Sequence, residues 1–99
     1  MGAIVLAFLS GLFFFNGVPH LVQGICGKRH MTPFARSSSA LANVVWGWVN
    51  LIVGGLLAGA ACGLHSAFWI PFALGGLVIS AYLAVFWSNP EARLPWHKS

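Results

Sequence analysis

Three long apolar stretches make up most of this 99-residue chain and limit what it can fold into. They cover residues 3–25, 40–62 and 66–87, and none of them contains Asp, Glu, Lys or Arg. Each holds roughly 22 residues, which as an α-helix measure about 33 Å and cross a hydrocarbon core of about 30 Å. The sequence therefore predicts an all-α integral membrane protein whose three transmembrane helices form one up-down-up bundle.

The composition agrees with a location in the membrane. Hydrophobic residues make up 59% of the chain and charged residues 6%, and the mean hydropathy is +0.84. A soluble domain of this length buries only part of its surface and could not hide so many apolar side chains. We expect residues 1–99 to form a single membrane domain in contact with the lipid bilayer.

The basic residues predict the orientation of the helices. Lys28, Arg29 and Arg36 lie in the loop 27–39, and Arg93 and Lys98 lie in the tail 88–99. Because Lys and Arg collect on the cytoplasmic side, we expect the N-terminus outside and the C-terminus in the cytoplasm, most simply in a bacterial inner membrane. The charge of +4 is split between these two segments, so it predicts no nucleic-acid partner.

Polar side chains recur at helical spacing in the first two stretches. These six residues, which we call the polar seam, are Asn16, His20, Gln23, Asn43, Trp46 and Asn50. The intervals of three, four and seven residues place each set of three on one helix face. Polar groups are costly inside a membrane, so we expect the two faces to meet.

Counting inward from the loop predicts the register of the two faces. The expected pairs, from the loop inward, are Gln23 with Asn43, His20 with Trp46, and Asn16 with Asn50. Interhelical hydrogen bonds of this kind contribute roughly 0.6 kcal/mol each. The polar seam is therefore interpreted mainly as a device that sets helix register.

His20 is the residue of the polar seam that carries a functional alternative. An intramembrane histidine can bind haem iron, move a proton or donate a hydrogen bond to a quinone or a headgroup. His30 is expected in the loop, and no second histidine is expected at the depth of His20. One histidine does not make a metal site, so the sequence predicts no metal or cofactor, with His20 as the one candidate contact.

Small residues form possible packing surfaces on all three helices. These are Ala3, Ala7, Gly11, Gly55, Gly59, Gly75 and Gly76. Stripes of small residues let helix backbones approach closely, either within one chain or between chains. The stripe on the first helix lies opposite Asn16 and His20, and we expect it to face a partner chain.

The chain has no set of residues that would make it an enzyme. It contains no Ser-His-Asp set, no Cys-x-x-Cys and no Gly-rich phosphate loop. The first hypothesis is a non-catalytic membrane subunit that packs against a larger complex. The alternatives are a three-span anchor of an electron-transfer complex that contacts haem or quinone through His20, and a homo-oligomeric pore or carrier for a neutral solute.

Overall fold

In a computed structural model, which describes residues 2–62, 67–92 and 94–96, the chain is mostly helical. The helices are α1 (Gly2–Ile25), α2 (Ala40–Cys62) and α3 (Trp69–Ser88). All three are long and apolar enough to cross a membrane, which confirms the three predicted helices and suggests a membrane-embedded protein. The third helix begins at Trp69 rather than at residue 66, which lies outside the described residues.

The loop between α1 and α2 contains a small β-hairpin, so the prediction of an all-α chain is wrong there. Strands β1 (His30–Thr32) and β2 (Ala35–Ser38) pair antiparallel. Thr32 Oγ1 and Ser38 Oγ are 2.6 Å apart, and the backbone N–H of Phe34 donates to Thr32 Oγ1 at 3.1 Å. These hydroxyls stabilise the turn by local hydrogen bonds that compete with helix.

Helix α1 lies in the middle and packs tightly against α2. A Cβ atom added to Gly17 would lie 2.6 Å from the carbonyl oxygen of Gly47, and one added to Gly24 would lie 2.7 Å from that of Ala40. These pairs run in opposite directions along the two helices, which are therefore antiparallel. Glycine is needed at such positions because any side chain would push the backbones apart.

The opposite face of α1 packs against α3. The expectation that its small residues face a partner chain is therefore wrong. Ala7 is 1% exposed, and a Cβ atom on Gly11 would collide with the backbone carbonyl of Phe72. A Cβ atom on Gly75 would collide in the same way with the carbonyl of Phe8. The stripe that begins at Ala3 is thus used within the chain, because its small residues let α3 approach as closely as α2 does.

Helices α2 and α3 flank α1 and, over the described residues, make little direct contact with each other. At one end a small apolar cluster of Ala7, Ala61 and Phe68 joins the three segments. At the other, which we call the hairpin end, the β-hairpin packs against α1 and α2. The tail is tied to this hairpin, because Trp96 Nε1 donates to the carbonyl of Pro33 at 2.7 Å.

Candidate functional site at the hairpin end

Asn43 is the centre of a hydrogen-bond network that joins both helices to the hairpin. Its side chain is completely buried. The Nδ2 group donates to the carbonyls of His30 at 2.9 Å, Ser39 at 3.0 Å and Ser38 at 3.2 Å. Two N–H hydrogens serve three acceptors, so one hydrogen is shared. The network holds both strands of the hairpin against the start of α2.

The same amide determines which nitrogen of His20 carries a proton. Asn43 Oδ1 lies 2.9 Å from His20 Nδ1, and His20 is 4% exposed. Because the three carbonyls require Nδ2 to face them, the oxygen must face the histidine and accept from it. His20 Nδ1 therefore donates, and in the neutral ring Nε2 is the acceptor.

His30 lies beside His20, which corrects the expectation that no second histidine reaches its depth. The two rings are 5.3 Å apart between centroids, and the His30 and Trp87 rings are 4.2 Å apart. Burial lowers the pKa of His30 below its ordinary value, and the positive charge that His20 can carry lowers it further. The hairpin brings these rings together by folding the loop back against α1.

Of the three expected pairs of the polar seam, Asn16 with Asn50 is confirmed, whereas His20 and Gln23 do not take the expected partners. Asn16 Nδ2 donates to Asn50 Oδ1 at 3.0 Å, and Asn50 Nδ2 donates to the carbonyl of Trp46 at 2.9 Å. His20 pairs with Asn43 instead of Trp46. The Asn43 amide is then used by His20 and by three backbone carbonyls, so it is not the partner of Gln23. The expected pairs came from counting residues inward from the loop. That count took no account of the β-hairpin into which the loop folds.

A cavity of about 160 Å³ lies between the three helices, the hairpin and the tail. Residues 31–33 of the hairpin cover it. Its polar and aromatic walls are Asn16, His20, Trp46, Tyr82, Phe86 and Trp87. Among the described residues that line it, none is Lys, Arg, Asp or Glu. The space is therefore an uncharged pocket with a few polar groups, as is typical of small-molecule sites.

Three buried nitrogen atoms around this region have no hydrogen-bond partner among the described residues. They are His30 Nε2, Trp46 Nε1 and Trp87 Nε1. An indole N–H can only donate, and leaving such a donor buried and unpaired costs about 1–3 kcal/mol. Each unpaired group in a folded protein calls for a water, an ion or a ligand as its missing partner.

Sequence reasoning missed several residues of this site. His30 was expected in the loop, away from His20, and the sequence pattern did not place Trp87 or Tyr82 in the site. Outside this site, Ser10 was also missed, although its Oγ donates to the carbonyl of Gly54 at 2.7 Å and its side chain is fully buried. Ser10 lies six residues before Asn16, a spacing that does not continue the pattern of the polar seam. The Thr32-Pro33 pair was the one available signal for a turn.

The described residues contain no group of three or more His, Cys, Asp or Glu side chains that could hold a metal ion. His20 and His30 supply two ring nitrogens that face one region, fewer than a structural metal site uses. Comparison of the chain with protein-family models, with curated proteins and with solved structures finds no match. Any function must therefore be inferred from the geometry of the chain itself.

Proposed function

We propose that this chain is a non-catalytic membrane subunit that packs against a larger membrane complex through one face of α2. The proposal rests on the open space beside Gly55 and Gly59. A Cβ atom added to either glycine would meet nothing within 4 Å, whereas glycines at 11, 17, 24, 47, 54, 75 and 76 all face atoms of a neighbouring helix. The GxxxG pair is thus unused within the described part of the chain.

The surroundings of these glycines support a helix-packing surface. Trp48, Ile52 and Gly59 lie on the same side of α2 as Gly55, at intervals of three and four residues. Trp48 is 53% exposed and Ile52 is 56% exposed. A groove of glycine beside large apolar side chains lets a second helix approach closely, and van der Waals packing of this kind drives association in lipid. We call this surface the outer face of α2.

The proposal includes an orientation and a location. With the loop and the tail in the cytoplasm, the N-terminus lies outside, as Lys28, Arg29 and Arg36 favour. The hairpin end then lies on the cytoplasmic side, most simply of a bacterial inner membrane. Cysteine labelling from each side of sealed vesicles tests this: a cysteine placed at residue 36 should react only from the cytoplasmic side.

Affinity purification in mild detergent tests the packing surface. We expect the tagged chain to co-purify with another membrane protein, and Gly59→Leu to remove that protein because leucine fills the groove. The matched control is Ala81→Leu, an exposed small residue on α3. A wild-type chain that migrates alone and monodisperse would contradict the proposal. Self-association through Gly59 would instead favour the homo-oligomeric pore.

A second candidate function rests on His20. A three-span anchor of an electron-transfer complex would bring haem or quinone to a buried histidine, and His20 lines the cavity at the hairpin end. The optical spectrum of the native assembly tests this candidate. Unchanged haem and quinone content in His20→Ala would remove it, with His97→Ala in the tail as the control.

A further inference from the structure

The cavity at the hairpin end has walls that specify the chemistry of an occupant. Trp46 and Trp87 line it from α2 and α3, and the indole N–H of each is buried without a partner among the described residues. His20 lines it from α1 and, with Nδ1 used by Asn43, has its acceptor at Nε2. An occupant that carries hydrogen-bond acceptors would satisfy the two donors when the indole rings turn their N–H groups toward it.

The lack of charged side chains among the described residues that line the cavity argues against most ionic headgroups. No Lys or Arg occurs among its described lining residues, so a phosphate or carboxylate would lose its hydration without gaining a counter-charge. Its described lining also lacks Asp and Glu. A quaternary ammonium would have aromatic faces to contact, but it would leave both indole N–H donors unpaired. The walls therefore favour a neutral head with oxygen acceptors.

The size of the cavity agrees with a single ring. Its volume is about 160 Å³, and a protein cavity of about 150 Å³ accommodates benzene. Tyr82, Phe86 and Trp87 supply flat aromatic walls from α3. A six-membered ring with small substituents would fit between them, with its carbonyl groups near the two indoles.

A second cavity gives room for an apolar chain. It measures about 380 Å³ and lies between the same three helices, further from the hairpin. Phe14, Phe68 and Phe72 are among its walls. It exists because α2 and α3 flank α1 with little contact between them. An amphiphile with its ring at the hairpin end would find an apolar surface for its tail here.

We propose that the cavity lined by His20, Trp46 and Trp87 binds the head of a neutral, ring-bearing amphiphile of the quinone class. The two indole N–H groups donate to its carbonyl oxygens, and its apolar chain lies between α2 and α3. This proposal concerns binding by the single chain and needs neither a partner protein nor haem. The head cavity lies apart from the outer face of α2, although Gly55 of that face also lines the second cavity. Variants of Trp46 and of Gly59 therefore test the two proposals separately.

Calorimetric titration of the purified full-length chain tests the proposal. The probe is 2-decyl-1,4-benzoquinone, whose ring carries no other substituent, added to protein in uncharged detergent. We expect saturable binding near one quinone per chain. Trp46→Phe and Trp87→Phe, which keep an aromatic ring but lose the N–H, should each weaken binding about fivefold, equivalent to one hydrogen bond of about 1 kcal/mol. Trp48→Phe on the outer face of α2 should leave binding unchanged.

A second pair of variants keeps the test decisive if a tryptophan variant fails to fold. Ile79→Phe adds volume to the wall of the cavity and should weaken binding more than tenfold. The matched control, Val78→Phe, is at an exposed neighbouring position and should bind like the wild type. Far-UV circular dichroism confirms that each variant is folded.

Three results would overturn the proposal. The first is the absence of saturable quinone binding to the folded wild type, which would leave water as the partner of the indoles. The second is equal weakening by Trp48→Phe and Trp46→Phe. The third is displacement of the quinone by phosphatidylglycerol at equal concentration, which would assign the cavity to an anionic lipid.

Discussion

The two faces of α1 meet their neighbours in different ways. Towards α2, glycine contacts are combined with directional hydrogen bonds, from Asn16 to Asn50 and from His20 to Asn43. Towards α3, Gly11 and Gly75 bring the backbones together, and within the described residues no side-chain hydrogen bond joins the two helices. Close packing sets how near two helices lie, whereas hydrogen bonds also set their register, since a shifted helix would leave polar groups unpaired in lipid.

The largest expected effect comes from breaking the α1–α3 interface with Gly11→Val. Its Cβ atom would collide with the backbone of Phe72, and a backbone cannot rotate away as a side chain can. We expect a loss of about 3 kcal/mol in the free energy of unfolding, or failure to fold. Equilibrium unfolding in mixed detergent measures it.

Gly59→Val is the matched control for this substitution. It makes the same change of residue type in a helix but at an open position, so we expect a change within about 0.5 kcal/mol. Equal destabilisation by both variants would show that helix propensity, rather than the close contact with α3, accounts for the effect.

Asn43→Ala breaks the hydrogen-bonded interface between α1 and α2 and should lower stability by a smaller but still sizeable amount. This change leaves His20 Nδ1 and the carbonyls of His30 and Ser38 without their partner. We expect a loss of about 2 kcal/mol in the free energy of unfolding, because several buried polar groups become unpaired at once. Detergent unfolding and protection of the hairpin amides from hydrogen exchange should both report it.

Asn16→Ala is the control for Asn43→Ala, because it also removes an asparagine of the polar seam. Asn16 makes one side-chain hydrogen bond to Asn50, so its removal should cost only about 0.6 kcal/mol. If both asparagine variants lose the same stability, Asn43 is not the centre of the network and the hairpin is held by other contacts.

The smallest expected effect is a pH dependence that belongs to the hairpin end alone. Because burial lowers the pKa of His30 in the folded protein, the unfolded chain binds more protons below about pH 6.5, the ordinary value for histidine. The stability that neutral His30 contributes is complete above that pH and is lost as the pH falls. Partial exposure of this ring keeps the effect small.

Unfolding measured at pH 7.5 and pH 5.5 tests the sign of this dependence. We expect the wild type to be less stable at pH 5.5, and His30→Gln to reduce the difference because it cannot be protonated. A wild type that gains stability on acidification would contradict the burial of a neutral His30. The same measurement on Gly59→Val should show the dependence of the wild type.

Much of the fold and the helical part of the site could be predicted from local patterns, since Asn16, His20 and Trp46 of the polar seam line the cavity, but the part that the hairpin supplies could not. The helices follow from apolar runs of membrane length, and the placement of Asn16 and His20 on one face follows from helical periodicity. The hairpin was missed because its short strands have no strong periodic signal and depend on Thr32 and Ser38 meeting across a turn. The pairing of His20 was missed because the carbonyls of that hairpin bind the Asn43 nitrogen and thereby direct the amide oxygen to His20.

The amino-acid sequence alone determined three long apolar helices and the faces that carry polar or small residues, because hydropathy and periodicity act over a few neighbouring residues. Only the tertiary structure decided which partner each face takes. Helix α3 covers Gly11, the hairpin brings His30 to His20, and Gly59 is left open. These outcomes depend on helix rotation and on the path of the loop, which are set by contacts between residues far apart in the chain.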